Sequence, residues 1–71
     1  MNVATVSVWL NGEACVLDAP ASVLQLLERA GHAGRRVAVE VNREIVPRSE
    51  HGTRLLCDGD RVELVHALGG G

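Results

Sequence analysis

The last six residues, HALGGG, end on the α-carboxylate of Gly71, the group in this chain best suited to covalent chemistry. Such a carboxylate can be activated as an acyl-adenylate if it reaches the active site of an enzyme. Gly69 and Gly70 would allow this access, because glycine has no side chain to block a narrow passage and tolerates unusual backbone angles. The residues from Ala67 to Gly71 span up to roughly 17 Å when extended. The tail is therefore interpreted as a working part rather than a frayed end.

The other polar side chains form no pattern that predicts catalysis or metal binding. His32, His51 and His66 have no cysteine or carboxylate at metal-ligand spacing, and we expect each histidine to be exposed to solvent. The DGD motif at Asp58–Asp60 lacks the remaining ligand positions of a calcium loop and is predicted to be a turn. We therefore expect no metal and no stably bound cofactor.

The two cysteines, Cys15 and Cys57, lie far apart and form no CxxC motif. In a reducing compartment they are expected to be thiols rather than a disulfide. Cys15 is predicted to face the core as a small hydrophobic residue, and Cys57 has no basic neighbour that would activate it. A structural or incidental role is favoured for both cysteines.

The composition excludes several classes of function. A chain of 71 residues holds one domain at most and has no room for a deep catalytic cleft, so we do not expect an enzyme. Trp9 is the only aromatic residue, which argues against stacking on nucleic-acid bases. The formal net charge is −2, and there is no basic stripe and no apolar run long enough to cross a membrane. We expect a cytoplasmic protein that binds neither nucleic acid nor membrane.

Alternating apolar residues predict a β-hairpin near the start of the chain. ATVSVWL and EACVLD both have the period of a half-buried strand. Asn11-Gly12 between them is the strongest short signal for a two-residue type I′ turn, which pairs Leu10 with Glu13 and leaves Trp9 on the outer face. The predicted inward face consists of Val6, Val8, Leu10, Cys15 and Leu17.

A helix and three further strands follow. Ser22 and Gln25 form a predicted capping box at the start of the helix. RRVAVEVN predicts a strand, and EIVPR predicts a short strand that Pro47 restricts to a sheet edge. SEHGTRLLCDGD is a connector in which we expect one helical turn carrying Leu55 and Leu56. DRVELVHAL predicts the last strand.

This order of elements predicts the fold class. One helix must cover one face of a mixed sheet of four or five strands, which is the β-grasp arrangement of the α+β class. We predict a β-grasp domain over residues 1–68 and a flexible C-terminal glycine tail over residues 69–71.

Trp9 marks a predicted partner surface on the outer face of the sheet. Large exposed aromatic side chains are enriched at protein interfaces, although Trp9 fits equally well as a side chain that packs over its neighbours Ala14 and Val16. Residues at the end of the last strand extend the same surface. The predicted partner surface consists of Trp9, Val65, Ala67 and Leu68.

Three segments of the chain resemble the ThiS family, the sulfur carriers of thiamine thiazole biosynthesis. They are LNGE at Leu10–Glu13, RRVAVEVNREIVPRSEH at Arg35–His51 and DGDRVELVHALGGG at Asp58–Gly71. The resemblance covers nearly the whole chain, and AVEVNREIVPRS and VELVHALGGG are its most specific parts. It implies the β-grasp fold that the family shares with ubiquitin and with the molybdopterin carrier MoaD. Cys15 and Cys57 match no function of the family.

The resemblance also implies a reaction at the C-terminus. A ThiF-like E1 enzyme would use ATP to adenylate the carboxylate of Gly71. A persulfide relay from a cysteine desulfurase would replace AMP with sulfur, and a ThiG-like thiazole synthase would receive sulfur from the resulting thiocarboxylate. Gly70 and Gly71 match the terminal pair of the family, and Gly69 is an additional glycine. The chain would be a carrier and co-substrate, with ATP and the sulfur donor used by its partner enzymes.

Two other interpretations stay open at this point. The chain could carry sulfur for another pathway, such as that of molybdopterin or another sulfur-containing metabolite. It could also be a β-grasp module that binds partners without covalent modification. A pure binding module has no need of free terminal glycines, and the detailed resemblance favours the thiamine pathway.

Overall fold

The structure, a computed structural model, describes residues 4–32, 34 and 36–66. In chain order its elements are β1 (Thr5–Leu10), β2 (Glu13–Asp18), α1 (Val23–Arg29), β3 (Val37–Val41), β4 (Glu44–Val46), a short 3₁₀ helix (Arg48–Glu50) and β5 (Arg61–His66). The predicted boundary at residue 68 and the predicted glycine tail lie outside the described residues. Neither helix in the described part of the chain is long and apolar enough to cross a membrane.

The five strands form one mixed sheet in the order β2-β1-β5-β3-β4. β1 and β5 are parallel, and every other neighbouring pair is antiparallel. The last strand of the chain is therefore the central strand of the sheet, and β2 and β4 are its edges. With α1 packed on one face, this arrangement confirms the predicted β-grasp fold. Pro47 directly follows β4, which lies at an edge as predicted.

Both hairpins in the sheet have two-residue turns with positive φ angles. Asn11 and Gly12 have φ angles of 49° and 86°, as a type I′ turn requires. The resulting pairing of β1 with β2 matches the predicted alignment. Asn42 and Arg43, with φ angles of 52° and 71°, make the corresponding turn between β3 and β4. The right-handed twist of the flanking strands favours this turn type.

The predicted capping box at the start of α1 is present. The hydroxyl oxygen of Ser22 accepts a hydrogen bond from the backbone N–H of Gln25 at 3.2 Å. The backbone N–H of Ser22 donates in return to Oε1 of Gln25 at 2.8 Å. These bonds satisfy two backbone donors, one at Ser22 itself and one in the first turn of the helix. At the other end, Gly31 has a φ of 81° and lies just past the last turn, where glycine is favoured.

Aliphatic side chains from α1 and from the inner face of the sheet form the core. Leu10 and Cys15, which were predicted to face inward, are half-buried and pack against its rim. Burial of each aliphatic side chain contributes about 1.5–3 kcal/mol, so such a core suffices without Phe or Tyr. The buried core residues are Val6, Val8, Leu17, Ala21, Val23, Leu26, Leu27, Val39, Val41, Val46, Leu56, Val62 and Leu64.

The prediction of a helical turn at Leu55 and Leu56 is wrong. The helical turn of this connector is instead the 3₁₀ helix Arg48–Glu50. Pro47 precedes it with φ fixed at −59°, a value that suits the start of a helical turn. Leu55 forms an isolated antiparallel bridge with Ser22, so this part of the connector is extended. The extended backbone sends Leu56 into the core and leaves Leu55 exposed.

Candidate functional site

The strand that leads toward the C-terminus is held by neighbours on both sides. β5 pairs with β1 in parallel and with β3 in the antiparallel sense. The pairing with β3 reaches the end of the strand, where His66 lies opposite Val37. Ala67, Leu68 and Gly69–Gly71, which were predicted to contact or enter partner enzymes, lie outside the described residues. The chain thus approaches its C-terminus along the central strand of the sheet.

Asn11 connects the first hairpin turn to β5. Its side-chain Oδ1 accepts a hydrogen bond from the backbone N–H of Leu64 at 2.8 Å. Its own backbone N–H donates to the carbonyl of Val62 at 2.9 Å. Since β1 ends at Leu10, the Asn11 side chain supplies the acceptor that a longer strand would otherwise provide. The sequence predicts only the turn at Asn11, and the one signal for this second role is an amide side chain at the first turn position.

The outer face of the sheet bears most of the exposed hydrophobic surface. Six large hydrophobic side chains are exposed in the described part of the chain, and four of them lie on this face. Trp9 is 47% exposed and Val65 is 55% exposed, so both point outward as predicted. Ile45, 72% exposed, was missed, although its position beside the buried Val46 in a strand was the available signal. The four side chains are Trp9, Val16, Ile45 and Val65.

Trp9 and Val65 share this face without being neighbours. Trp9 lies opposite Arg61 in the parallel pairing. Val65 is four residues further along β5, which corresponds to about 13 Å at about 3.3 Å per residue. Glu63 lies between them on the same face. A shallow cavity of about 280 Å³ next to Trp9 is lined by Trp9, Gly12, Arg61, Val62 and Glu63. The outer face is therefore apolar surface interrupted by opposite charges, and these charged residues were not part of the predicted partner surface.

The DGD motif is a turn, as predicted. Oδ1 of Asp58 accepts a hydrogen bond from the backbone N–H of Ser7 at 2.7 Å. Oδ2 of Asp60 accepts from the backbone N–H of Cys57 at 2.8 Å, and its Oδ1 accepts from Nδ2 of Asn42 at 3.0 Å. These carboxylates hold the turn against β1 and the β3–β4 turn. Within residues 4–32, 34 and 36–66, no group of three or more side chains could hold a metal ion.

His51 is buried, which contradicts the expectation that all three histidines are exposed. It is 7% exposed, and its Nε2 lies 3.1 Å from the carbonyl oxygen of Val46. A carbonyl only accepts hydrogen bonds, so Nε2 carries the hydrogen. The backbone carbonyl of His51 accepts from the N–H of Leu24 at 2.7 Å, which ties the connector to α1. Burial is tolerated because the ring is hydrogen-bonded. His32 is half-buried, and the side chain of His66 lies outside what the structure describes.

The cysteines are both free thiols in the structure. Cys15 is half-buried and packs against the core, as predicted, and Cys57 is exposed. Neither belongs to a catalytic arrangement in the described part of the chain. The C-terminal carboxylate of Gly71, the predicted site of covalent chemistry, lies outside the described residues, and the outer face of the sheet is the candidate binding surface.

Comparison with known proteins identifies several relatives of this chain. The model of the ThiS family matches residues 7–71. The sulfur carrier protein ThiS of Escherichia coli is 30% identical over 64 residues, which cover 90% of this chain and 97% of that protein. The crystal structure of the thiamine biosynthesis protein ThiS from Geobacter metallireducens has a TM-score of 0.77 and 30% sequence identity, covering 93% of this chain and 100% of that one.

A segment similar to this chain also occurs within larger proteins. The thiazole synthase of Paramagnetospirillum magneticum is 44% identical over 62 residues, which are 87% of this chain and 19% of that enzyme. This chain spans about a fifth of the length of the thiazole synthases that it matches. The family match from β1 to the last glycine, the relative of similar length and the shared fold together show that this chain belongs to the ThiS family.

Proposed function

We propose that this chain carries sulfur for thiamine thiazole biosynthesis, as a thiocarboxylate formed at Gly71. The observation that carries the proposal is the family match, which extends through the terminal glycines. The E. coli relative is a sulfur carrier protein, which supports the same function. The chain would act as a protein co-substrate rather than as an enzyme.

The proposed chemistry begins with adenylation. A ThiF-like E1 enzyme transfers AMP from ATP to the Gly71 carboxylate and releases pyrophosphate. A persulfide supplied by a cysteine desulfurase attacks the acyl carbon, and AMP leaves. A second thiol of the relay then attacks the persulfide sulfur that is not bonded to the acyl carbon. This step leaves the thiocarboxylate on Gly71, and the two relay sulfurs form a disulfide.

The described part of the chain supports a carrier role through the way it presents its C-terminal strand. β5 is paired on both sides, so the strand that precedes the terminal residues is held in place within the sheet. Gly69 and Gly70 would let the carboxylate enter a narrow active site, because they have no side chains. The outer face, with Trp9 beside Arg61 and Glu63, would provide the surface that partner enzymes recognise.

The thiazole synthases among the relatives support the proposed acceptor. Their chains contain a segment similar to this one within a protein named for thiazole synthesis. A carrier and the enzyme that it serves act in succession, so their occurrence in one polypeptide favours a ThiG-like synthase as the recipient of the sulfur. The same observation favours the thiamine pathway over that of molybdopterin.

The proposal is tested by the intact mass of the protein after incubation with a ThiF-like enzyme, ATP, cysteine and a cysteine desulfurase. We expect one oxygen to be exchanged for sulfur, with the exchange mapped to the C-terminal peptide. The reaction without ATP and the variant lacking Gly71 serve as controls and should show no exchange. An unmodified mass with active partner enzymes would contradict the carrier function and favour a non-covalent binding module.

The pathway is tested separately by offering the thiocarboxylate to purified acceptors. We expect a ThiG-like synthase to consume it and to release the carrier with its original carboxylate mass. Consumption by a molybdopterin synthase partner alone would retain the carrier chemistry and overturn the assignment to thiamine.

A further inference from the structure

The strand β2 presents an open backbone edge. Among the strands of the described residues it pairs with β1 alone, because it is the outermost strand of the sheet. Because the turn has two residues, Leu10 and Glu13 form two backbone hydrogen bonds with each other. From Glu13 onward, every second residue of β2 is hydrogen-bonded to β1 in the same way. The residues between them direct their backbone N–H and C=O groups away from the sheet. These residues are Ala14, Val16 and Asp18.

The other side of β1 confirms this alternation independently. The backbone N–H of Trp9 donates to the carbonyl of Asp60 at 2.9 Å, and the carbonyl of Ser7 accepts from the N–H of Gly59 at 2.8 Å. Ser7 and Trp9 therefore direct their backbone groups toward β5 and the turn before it. Since successive residues of a strand alternate, Ala14 and Val16, which lie opposite Trp9 and Ser7, direct theirs away from β1.

The two edges of the sheet are protected differently. β4 has only three residues and is followed by Pro47, which has no N–H to offer. β2 has six residues, none of them proline, glycine, lysine or arginine. Natural sheets usually shorten, cover or charge such an edge, because it invites pairing with another strand. β2 carries its charges only at its two ends, Glu13 and Asp18, and its central residues are uncharged.

The charges at the two ends of β2 determine which kind of strand can pair with its open edge. β1 has no charged residue, so the carboxylates of Glu13 and Asp18 are the only charges on the two strands. Glu13 and Asp18 are five positions apart and so point to opposite faces of the sheet, and a second copy of β2, which has no basic residue, would offer neither carboxylate an opposite charge. A strand with a basic residue at each end would instead meet a carboxylate at both ends. Between them, Ala14 and the 51% exposed Val16 offer apolar contacts.

We propose that β2 is a docking strand for an extended segment of a partner protein, which adds to the sheet as a sixth strand. The segment has basic residues at both ends and apolar side chains at the alternate positions that face Ala14 and Val16. Backbone hydrogen bonds to the open edge supply affinity, and the two carboxylates select the sequence. The site lies apart from β5 and needs no chemistry at Gly71, so it goes beyond the proposed carrier function.

Amide hydrogen exchange, measured by NMR on the whole protein with a capped synthetic peptide, tests the proposal. The peptide RTVTVR, paired antiparallel, places its arginines opposite Asp18 and Glu13 and its valines on the outer face. We expect the amides of Ala14, Val16 and Asp18 to exchange at least about tenfold more slowly with this peptide, while those of Cys15 and Leu17 change little. The matched peptide ETVTVE should have no effect. Equal protection by both peptides, or none by RTVTVR, would overturn the proposal.

Two variants at one position separate the backbone contact from the side-chain contact. Val16→Pro removes the outward N–H without removing a bond to β1, and Val16→Ala keeps the N–H. We expect Val16→Pro to weaken binding of RTVTVR about tenfold and Val16→Ala to weaken it about twofold. Equal affinities for both variants and the parent would contradict the proposal. If Val16→Pro fails to fold, the amide exchange of the parent protein with the two peptides still tests the proposal.

A second copy of the chain is the competing occupant. It would slow exchange at Val16 without any peptide, in proportion to protein concentration, and would give a dimer in sedimentation. That result would overturn the proposal in favour of self-association.

Discussion

The side chain of Asn11 accepts a hydrogen bond at 2.8 Å from the backbone N–H of Leu64, a residue 53 positions later in the chain. The bond joins the turn of the first hairpin to the strand that leads toward the C-terminus. The two residues that best predict the hairpin, Asn11 and Gly12, thus also contribute to the position of β5.

Asn11→Gly should destabilise the protein although glycine adopts the same turn. The substitution removes the acceptor of the Leu64 N–H, which is partly buried, and an unsatisfied donor costs about 1–2 kcal/mol. Asn11→Asp keeps an acceptor oxygen at the same place and is the matched control. Urea unfolding followed by Trp9 fluorescence measures the difference, and exchange of the Leu64 amide locates it. Equal unfolding midpoints for the two variants would show that the bond contributes nothing.

Arg43→Gly should stabilise the protein by about 0.5–1 kcal/mol. Arg43 has a φ of 71°, a conformation that costs a residue with a Cβ more than it costs glycine. The gain is partly offset by the greater entropy of glycine in the unfolded chain. Thermal unfolding measures the effect, and Gly12→Arg, which makes the reverse change in the first hairpin, should lower the unfolding temperature. A lower unfolding temperature for Arg43→Gly would contradict the assigned cause.

His51→Ala should lower the free energy of unfolding by about 2 kcal/mol. The buried ring bonds the carbonyl of Val46, and its removal leaves a cavity and an unpaired acceptor below the sheet edge. His51→Gln retains a donor and should recover part of the loss, as measured by urea unfolding. His32→Ala, at a half-buried position, is the comparison and should have a smaller effect. If His51→Ala lowers the free energy of unfolding no more than His32→Ala does, the hydrogen bond to Val46 contributes little to stability.

Trp9→Ala should weaken binding to a ThiF-like activating enzyme by about tenfold or more without destabilising the fold. The side chain is 47% exposed, so its truncation removes contact surface rather than core. Leu24→Ala removes a similarly exposed side chain, at 40%, from α1 instead of the outer sheet face, and should leave affinity unchanged. Calorimetric titration of both variants provides the comparison. If Trp9→Ala binds as tightly as the parent, Trp9 merely packs over the neighbouring strand.

Much of the local structure was predictable from the sequence. The hairpin register follows from the Asn11-Gly12 turn and the alternation of apolar residues, and the capping box follows from Ser22 and Gln25. These features depend on residues a few positions apart, so the sequence order already contains the interacting groups. The family segments near Arg35–His51 and Asp58–Gly71 likewise predicted the β-grasp fold and the candidate carboxylate.

The errors and omissions concern contacts between distant residues. The burial of His51 depends on a 3₁₀ helix that begins after Pro47 and turns the ring toward Val46. The bond from Leu64 to Asn11 exists because β5 lies beside β1. Composition and period carry no signal for either contact, since each depends on which elements lie next to each other in the folded sheet.

For this protein the sequence by itself determined the five strands, the helix α1, the inward and outward faces of the strands, and the family. Only the tertiary structure decided that β5 is central, that Arg61 and Glu63 separate Trp9 from Val65, and that β2 is an open edge. The physical reason is that turns, caps and alternation are set by short-range sterics and hydrogen bonds, whereas strand order is set by burying the faces of all the elements together in one core.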